Sequence, residues 1–268
     1  MNKINIPVVT TIEQRHSVRT YEKKALSHLD KEKIINFSQG LSNPFGAKVE
    51  FHLTEKGLAE EGEKLGTYGV IKGAETFFGV SCEKTESGLL AAGYEFENLI
   101  LYATFLGLGT VWLAATFSRE SFEKVMDIKQ EEYFPAISPI GYKAEKRSLY
   151  ESLMRAGMKS STRKPRKELF FFNDFETPLT KEEAGKYEIP LEMVRLAPSA
   201  TNAQPWRIVK KGNAFHFYET HKKDAKPSEV MIKKVDLGIA LSHFHLTLLE
   251  QGLKGSFKKE PDNSIILP

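Results

Sequence analysis

RLAPSATNAQPWRIV, residues 195–209, is the stretch on which the reading of this chain turns. Pro198 and Pro205 restrict the backbone of a segment that follows a helical pattern. Ser199, Asn202 and Gln204 supply donors and acceptors without charge, and Trp206 anchors the exit. Such a loop can hydrogen-bond the edge of a flat heterocycle; a rigid connection built on an Asx turn explains the same residues. Upstream, Leu179 to Ala197 reads as helix, restarted at Pro190. Downstream, RIVKK (207–211) and AFHFYE (214–219) form a hairpin about Gly212-Asn213. A long helix is predicted from Val235 to Gln251.

The same plan occurs earlier in the chain. Ser27 to Phe37 reads as a helix with Ser27 as N-cap and Asp30 at its N3 position. Ser42-Asn43-Pro44 breaks it. VEFHL (49–53) alternates as a strand, Gly57 to Gly69 is a loop, and ETFFGVSCE (75–83) is a buried strand. Gly88 to Leu106 is a long helix, GTVWLAAT (109–116) a strand, and Arg119 to Met126 a short helix. FPAISPIGY (134–142) is a further strand in which Pro135 and Pro139 mark an edge or bulge. The two long helices align at one offset of 145 residues: Gly93 with Gly238, Leu101 with Leu246, Gly107-Leu108 with Gly252-Leu253. This weak symmetry predicts a duplication. The expected architecture is α+β, with related halves at 1–173 and 174–268 packed as an intramolecular pseudo-dimer whose junction favours a binding cleft.

Composition removes several alternatives. With 268 residues, 41% apolar and 27% charged, the chain can bury a core. A net charge of +3 does not point to nucleic acid. Cys82 is the single cysteine, so a disulfide-built scaffold is excluded. The N-terminal apolar stretch is too short for a signal peptide. Asn98 to Ser118 is free of charge for 21 residues, long enough for a bilayer. Gly107, Gly109 and three threonines within it favour a buried helix followed by a buried strand. A cytoplasmic protein without membrane or nucleic-acid partners is the expectation.

Three motifs could carry chemistry. In Arg15-His16-Ser17-Val18-Arg19, alternate side chains share a face if the segment is extended. Two guanidinium forks and a hydroxyl suit a phosphate, though a solvated basic face has the same composition. Leu113-Ala114-Ala115 offers small residues after a buried strand, where a ligand can approach the backbone. The third is the 197–206 block. A basic stretch from Lys143 to Lys167 is a solvated linker or a phosphate contact. There is no H-E-x-x-H, C-x-x-C, P-loop or G-x-S-x-G pattern, and His243 and His245 lie two apart on a helix and face apart. No metal site or side-chain catalytic residue is expected, so an enzyme of this sequence would rely on a cofactor.

Taken together, RHSVRTYEKKAL, LILYATFLGLGTVWLA, SPIGY with RKPRKELFF, and above all RLAPSATNAQPWRIV resemble the FMN-dependent nitroreductase family. The likeness extends over most of the chain. In ordinary members the Pro-Ser block follows the first helix; here that place reads LSNPFGAKVEFHL, and the intact block lies in the second half. The chain therefore resembles the internally duplicated, single-chain branch labelled TM nitroreductase. The resemblance implies a nitroreductase-like fold and one FMN per chain. It implies hydride passing from NAD(P)H through FMN to a small electron-poor acceptor, a nitroaromatic or a quinone. The chain would act as a monomeric pseudo-dimer. Arg15, His16, Ser17 and Arg19, joined by Arg163 and Lys164, would bind the phosphate and ribityl chain. Pro198, Ser199, Ala200 and Asn202 would line the ring, and Ala114 and Ala115 would offer backbone N–H groups near its N5, although the family often has Glu-Gly or Gly-Gly there. TYGVIKGA (67–74) would lie near the ring by analogy. A non-catalytic FMN-binding storage or sensing protein is the alternative.

Overall fold

The computed structural model describes residues 5–58, 65–145, 162–220, 224–259 and 265–267. Its centre is a crossing of two long helices, α3 (Glu86–Phe105) and α7 (Pro227–Glu250). α1 (Val8–Gln14) precedes α2 (His28–Gln39), whose N-cap Ser27 accepts from Asp30 N at 3.1 Å as its sequence predicts. β1 (Val49–Glu55) and β2 (Thr76–Glu83) form an antiparallel pair. After α3 come β3 (Gly109–Thr110), α4 (Arg119–Val125) and β4 (Glu132–Gly141), giving a sheet ordered β1-β2-β4-β3. β5 (Phe170–Phe172), α5 (Lys181–Ala184), α6 (Glu188–Leu196), β6 (Trp206–Lys211) and β7 (Ala214–Glu219) follow. β8 (Lys258–Lys259) and β9 (Ile265–Leu267) complete a second sheet ordered β5-β6-β7-β9-β8.

The plan of helix, loop, two strands and long helix thus occurs twice, as α2-β1-β2-α3 and α6-β6-β7-α7. α3 is buried on nearly every face from Gly88 to Thr104, and α7 from Lys234 to Leu248. An all-round apolar helix is a core helix, and each here is the other's partner. The contacts come in exchanged pairs. A Cβ on Gly93 would overlap the Val235 carbonyl, and one on Gly238 would overlap that of Leu90. Asn98 Oδ1 accepts from Ser242 Oγ at 2.7 Å, and Glu97 Oε1 meets His243 Nε2 at 2.9 Å. Under the 145-residue offset, Leu90 corresponds to Val235, Glu97 to Ser242 and Asn98 to His243. Each contact is therefore present in two copies with partners exchanged, the pattern of an isologous two-fold interface.

Several expectations change. The N-terminal segment forms α1, its Val8, Thr11 and Ile12 buried beside Leu101, Met193 and Leu246. α7 begins at Pro227 rather than Val235, because proline is well suited to a first helical turn and the opening turns are polar. Of GTVWLAAT only Gly109–Thr110 is strand; Leu113 keeps a single bridge to Ile137 while the chain peels off the sheet. Pro135 stands at the expected bulge, where the β2–β4 register shifts. Pro139 lies in an inner strand, just beyond the two residues that pair with β3. The uncharged 98–118 stretch is interrupted after Phe105, at Gly107 with φ of 80°. Among the described residues no helix is long and apolar enough to cross a membrane. Part of the Gly57–Gly69 loop and most of the basic stretch after Lys143 lie outside the described residues.

Candidate functional site

Helix α1 ends at Arg15, which is already extended with φ of −62° and ψ of 125°. The chain then runs beside β3: Ser17 bridges Thr110, and Val18 N donates to Thr110 O at 2.9 Å. This places Arg15 and Arg19 in the interior and leaves Ser17 half-buried. His16 stays at the edge, its Nδ1 sharing a contact with Gln14 O at 3.0 Å.

Arg19 opens onto a cavity of about 340 Å³. One wall is Trp112-Leu113-Ala114-Ala115-Thr116, the stretch that left the sheet. The lining also includes the loop Pro198-Ser199-Ala200-Thr201 and, from α7, Ile232, Val235, Asp236 and Ile239. Val70 from the TYGVIKGA stretch also reaches it. The volume and the mainly apolar walls with a few polar groups are those of a small-molecule or cofactor pocket. Of the residues singled out in the sequence, Arg19, Ala114, Ala115, Pro198, Ser199 and Ala200 line this cavity.

Arg163 lies within electrostatic reach of Arg15, and Arg163 and Lys164 are tied to the stretch that carries the 198–204 loop. Arg163 Nη1 donates to Asn202 Oδ1 at 3.3 Å and its Nη2 to Leu196 O at 3.0 Å. Lys164 N donates to Gln204 Oε1 at 2.8 Å. Burial pushes the Arg163 guanidinium down to about 10, and the charges of Arg15 and Arg195 add to the effect. Burial likewise lowers Lys164, with Arg207 next in size. Cations held together in partly dehydrated surroundings are electrostatically suited to an anion.

The 198–204 loop is wound tightly. Thr201, Asn202 and Gln204 have φ of 51°, 58° and 47°. For a β-branched residue such as Thr201 that region is strained, and strain of this kind gathers at ligand sites. The loop is tied internally by Gln204 N donating to Ser199 Oγ at 2.9 Å, and to α7 by Ala200 N donating to Asp236 Oδ1 at 3.0 Å. Asp236 is 3% exposed, and burial pushes its carboxyl up to about 8. Asp236 and Trp112 were not among the predicted residues. The signal for Asp236 was its isolation as an acid in the apolar run VDLGIALSHFHL.

A second cavity, of about 120 Å³, lies on the other side of the helix crossing. Its lining includes Ser87, Leu90, Phe257, Lys258 and Lys259. At the 145-residue offset these are the counterparts of Ile232, Val235, Trp112, Leu113 and Ala114 in the large cavity. Pro44 and Phe45 complete it from the loop after α2, as the 198–201 loop follows α6. Three rings crowd the place: Phe45 lies 5.9 Å from Tyr94 and 5.6 Å from Phe257, centroid to centroid.

Among the described residues one group of side chains has ligand spacing for a metal, Glu50, His52 and Glu132, brought together across the first sheet. Glu50 already pairs with Lys48, and His52 Nε2 contacts Ser81 Oγ at 2.7 Å.

The fold and this cavity define an α+β protein of nitroreductase type. The chain belongs to the family described as "Putative TM nitroreductase", whose family model matches residues 7–248. No curated protein matches it. A solved structure from Thermotoga maritima, titled a "putative nitroreductase", is 23% identical with a TM-score of 0.66, covering 100% of this chain and 94% of that one. A nitroreductase with bound FMN from Bacteroides fragilis is 21% identical over 53% of this chain and 91% of its own, with a TM-score of 0.44. A nitroreductase family protein from Clostridium novyi is 18% identical over 52% and 87%, also at 0.44.

Proposed function

We propose that the protein is an FMN-dependent oxidoreductase that takes hydride from NAD(P)H and passes it to a small electron-poor acceptor such as a nitroaromatic or a quinone. The observation that carries this reading is an apolar cavity onto which the buried Arg19 opens, with the half-buried Arg163 held to Asn202, next to the lining residue Thr201. The residues fit the cofactor's two ends. Arg15, Ser17 and Arg19 with Arg163 and Lys164 would hold the phosphate and ribityl chain. Trp112 to Ala115 would form one wall against the ring, and Pro198, Ser199, Ala200 and Asn202 the other. FMN, when bound, supplies the two-electron chemistry. The chain's own part is to orient the ring, exclude water from one face and neutralise the phosphate. The exchanged helix contacts support the related halves, 1–173 and 174–268, packed as an intramolecular pseudo-dimer. The small second cavity, crowded by three rings, supports one FMN per chain.

The test is the visible spectrum of the FMN-supplemented, desalted protein under anaerobic titration with NADH and then NADPH. The expected result is one retained flavin per chain that bleaches with a nicotinamide. A retained band that bleaches with neither would replace this reading with that of a flavin-storage or sensing protein. Loss of the flavin on desalting would remove the site assignment.

A further inference from the structure

Glu97 is buried completely at the centre of α3 and belongs to no part of the cavity wall. Two groups fix it. Trp112 Nε1 donates to Glu97 Oε2 at 2.7 Å. His243, from the crossing helix, places Nε2 2.9 Å from Glu97 Oε1 while its Nδ1 lies 2.9 Å from Met193 O. A backbone carbonyl can only accept, so Nδ1 carries a hydrogen. The contact between Nε2 and Oε1 then also needs one proton, shared within an ion pair or a neutral pair. Oε1 further faces Arg15 Nε at 3.8 Å.

The duplicated crossing supplies an internal control. The counterpart of the Glu97–His243 contact is Asn98–Ser242, which spans the same two helices with a neutral hydrogen bond. Helix packing at this position is thus satisfied without ionisable groups. Placing a carboxyl in the interior is unfavourable unless it is paired. The ionisable copy occurs on the side where Arg15 enters, and Arg15 is one of the two charges that press on Arg163.

We infer that Glu97 is a positioning residue: framed by Trp112 and His243, it sets the Arg15 guanidinium for the anionic end of the ligand. The inference rests on the FMN reading above and deepens it by naming what orients the phosphate-binding arginine. It separates the two ends of the cofactor. FMN carries a phosphate and riboflavin does not, while the ring is common to both.

The experiment measures FMN and riboflavin affinity by flavin-fluorescence titration on the wild-type chain, on Glu97→Gln, and on the double variant Glu97→Ser with His243→Asn. The double variant copies the neutral counterpart contact between the two helices but removes the acceptor of Trp112 Nε1, whereas Glu97→Gln keeps a side-chain oxygen for it, so the two variants together separate the charge from the Trp112 contact. The expected result in both variants is a fall of about tenfold in FMN affinity, with riboflavin affinity changing by less than about threefold. The melting curve of the double variant should stay cooperative. Equal loss of both ligands would show that Glu97 only supports the fold or the Trp112 wall, and would overturn the inference. No change in either ligand would overturn it as well. A wild-type chain that binds neither flavin would instead remove the FMN reading, and this inference with it.

Discussion

The two cavities flanking the helix crossing are built from corresponding residues and have become different objects. In the large one, Trp112, Leu113 and Ala114 share the lining with Ile232 and Val235, and about 340 Å³ is left. In the small one, Phe257, Lys258 and Lys259 share it with Ser87 and Leu90, and about 120 Å³ is left. Ile239 on the open side corresponds to Tyr94 on the closed side, where the ring fills the interior and its hydroxyl contacts His245 Nδ1 at 2.7 Å. Both loops are held by a buried acid from the adjacent long helix. Asp236 accepts from Ala200 N, and Glu95 accepts from Asn43 Nδ2 at 2.6 Å. The shared scaffold is preserved in both places, and the difference lies in the side chains that fill or vacate its space. A cavity closed by packing contributes stability, whereas an open apolar cavity forgoes contacts that a ligand can restore.

The largest effect expected is at the crossing common to both sides. Gly93→Ala and Gly238→Ala each drive a Cβ into a facing carbonyl, and each should destabilise by about 3 kcal/mol or more in urea unfolding. Clearly unequal losses would break the two-fold description. Next, Phe257→Ala should lower stability by about 3 kcal/mol without changing flavin affinity, while Trp112→Ala should weaken flavin binding. A second bound flavin in Phe257→Ala would show that this ring alone closes the small cavity. Arg163→Gln should then reduce FMN affinity by about ten- to a hundredfold and spare riboflavin, as removal of a charge-assisted contact does.

Asp236→Asn probes the acid of the open side. The folded carboxyl titrates near 8, against about 4 in an unfolded chain. The folded state therefore holds an extra proton between those limits, so the contribution of this group to stability is fully present below about pH 4 and is lost as pH rises towards 8. The variant lacks this slope, and its melting temperature relative to wild type should be higher at pH 8 than at pH 5. The smallest effect belongs to Thr201→Gly. It relieves a φ of 51° and should stabilise by up to about 1 kcal/mol, measurable as a small rise in melting temperature.

Local patterns made much of the fold legible. Ser27 and Asp30 announced α2, Gly212-Asn213 the hairpin, and the repeated Gly-Leu endings the matched long helices. α1 has no local signature, because its seven residues carry no capping side chain and gain their stability by packing against α3, α6 and α7. The 109–116 stretch reads as strand because its β-branched and apolar residues suit one. Only the tertiary structure shows that it leaves the sheet after Thr110 to become a cavity wall. At the candidate site, the loop and Arg motifs were readable as short patterns. Trp112, Glu97 and His243 were not, since their meaning depends on contacts across as many as 146 residues of chain.

The acid at the end of α7 has a consequence for synthesis. Glu250 accepts from Val8 N at 2.6 Å and Val9 N at 3.1 Å, so the last turn of the long helix seats the N-terminus of α1. Arg15 follows directly from that helix. During translation the first segment of the candidate site must wait for a carboxylate made more than two hundred residues later. A nascent chain stopped before residue 250 would thus lack the carboxylate that anchors α1 and, through it, the segment that leads into the candidate site.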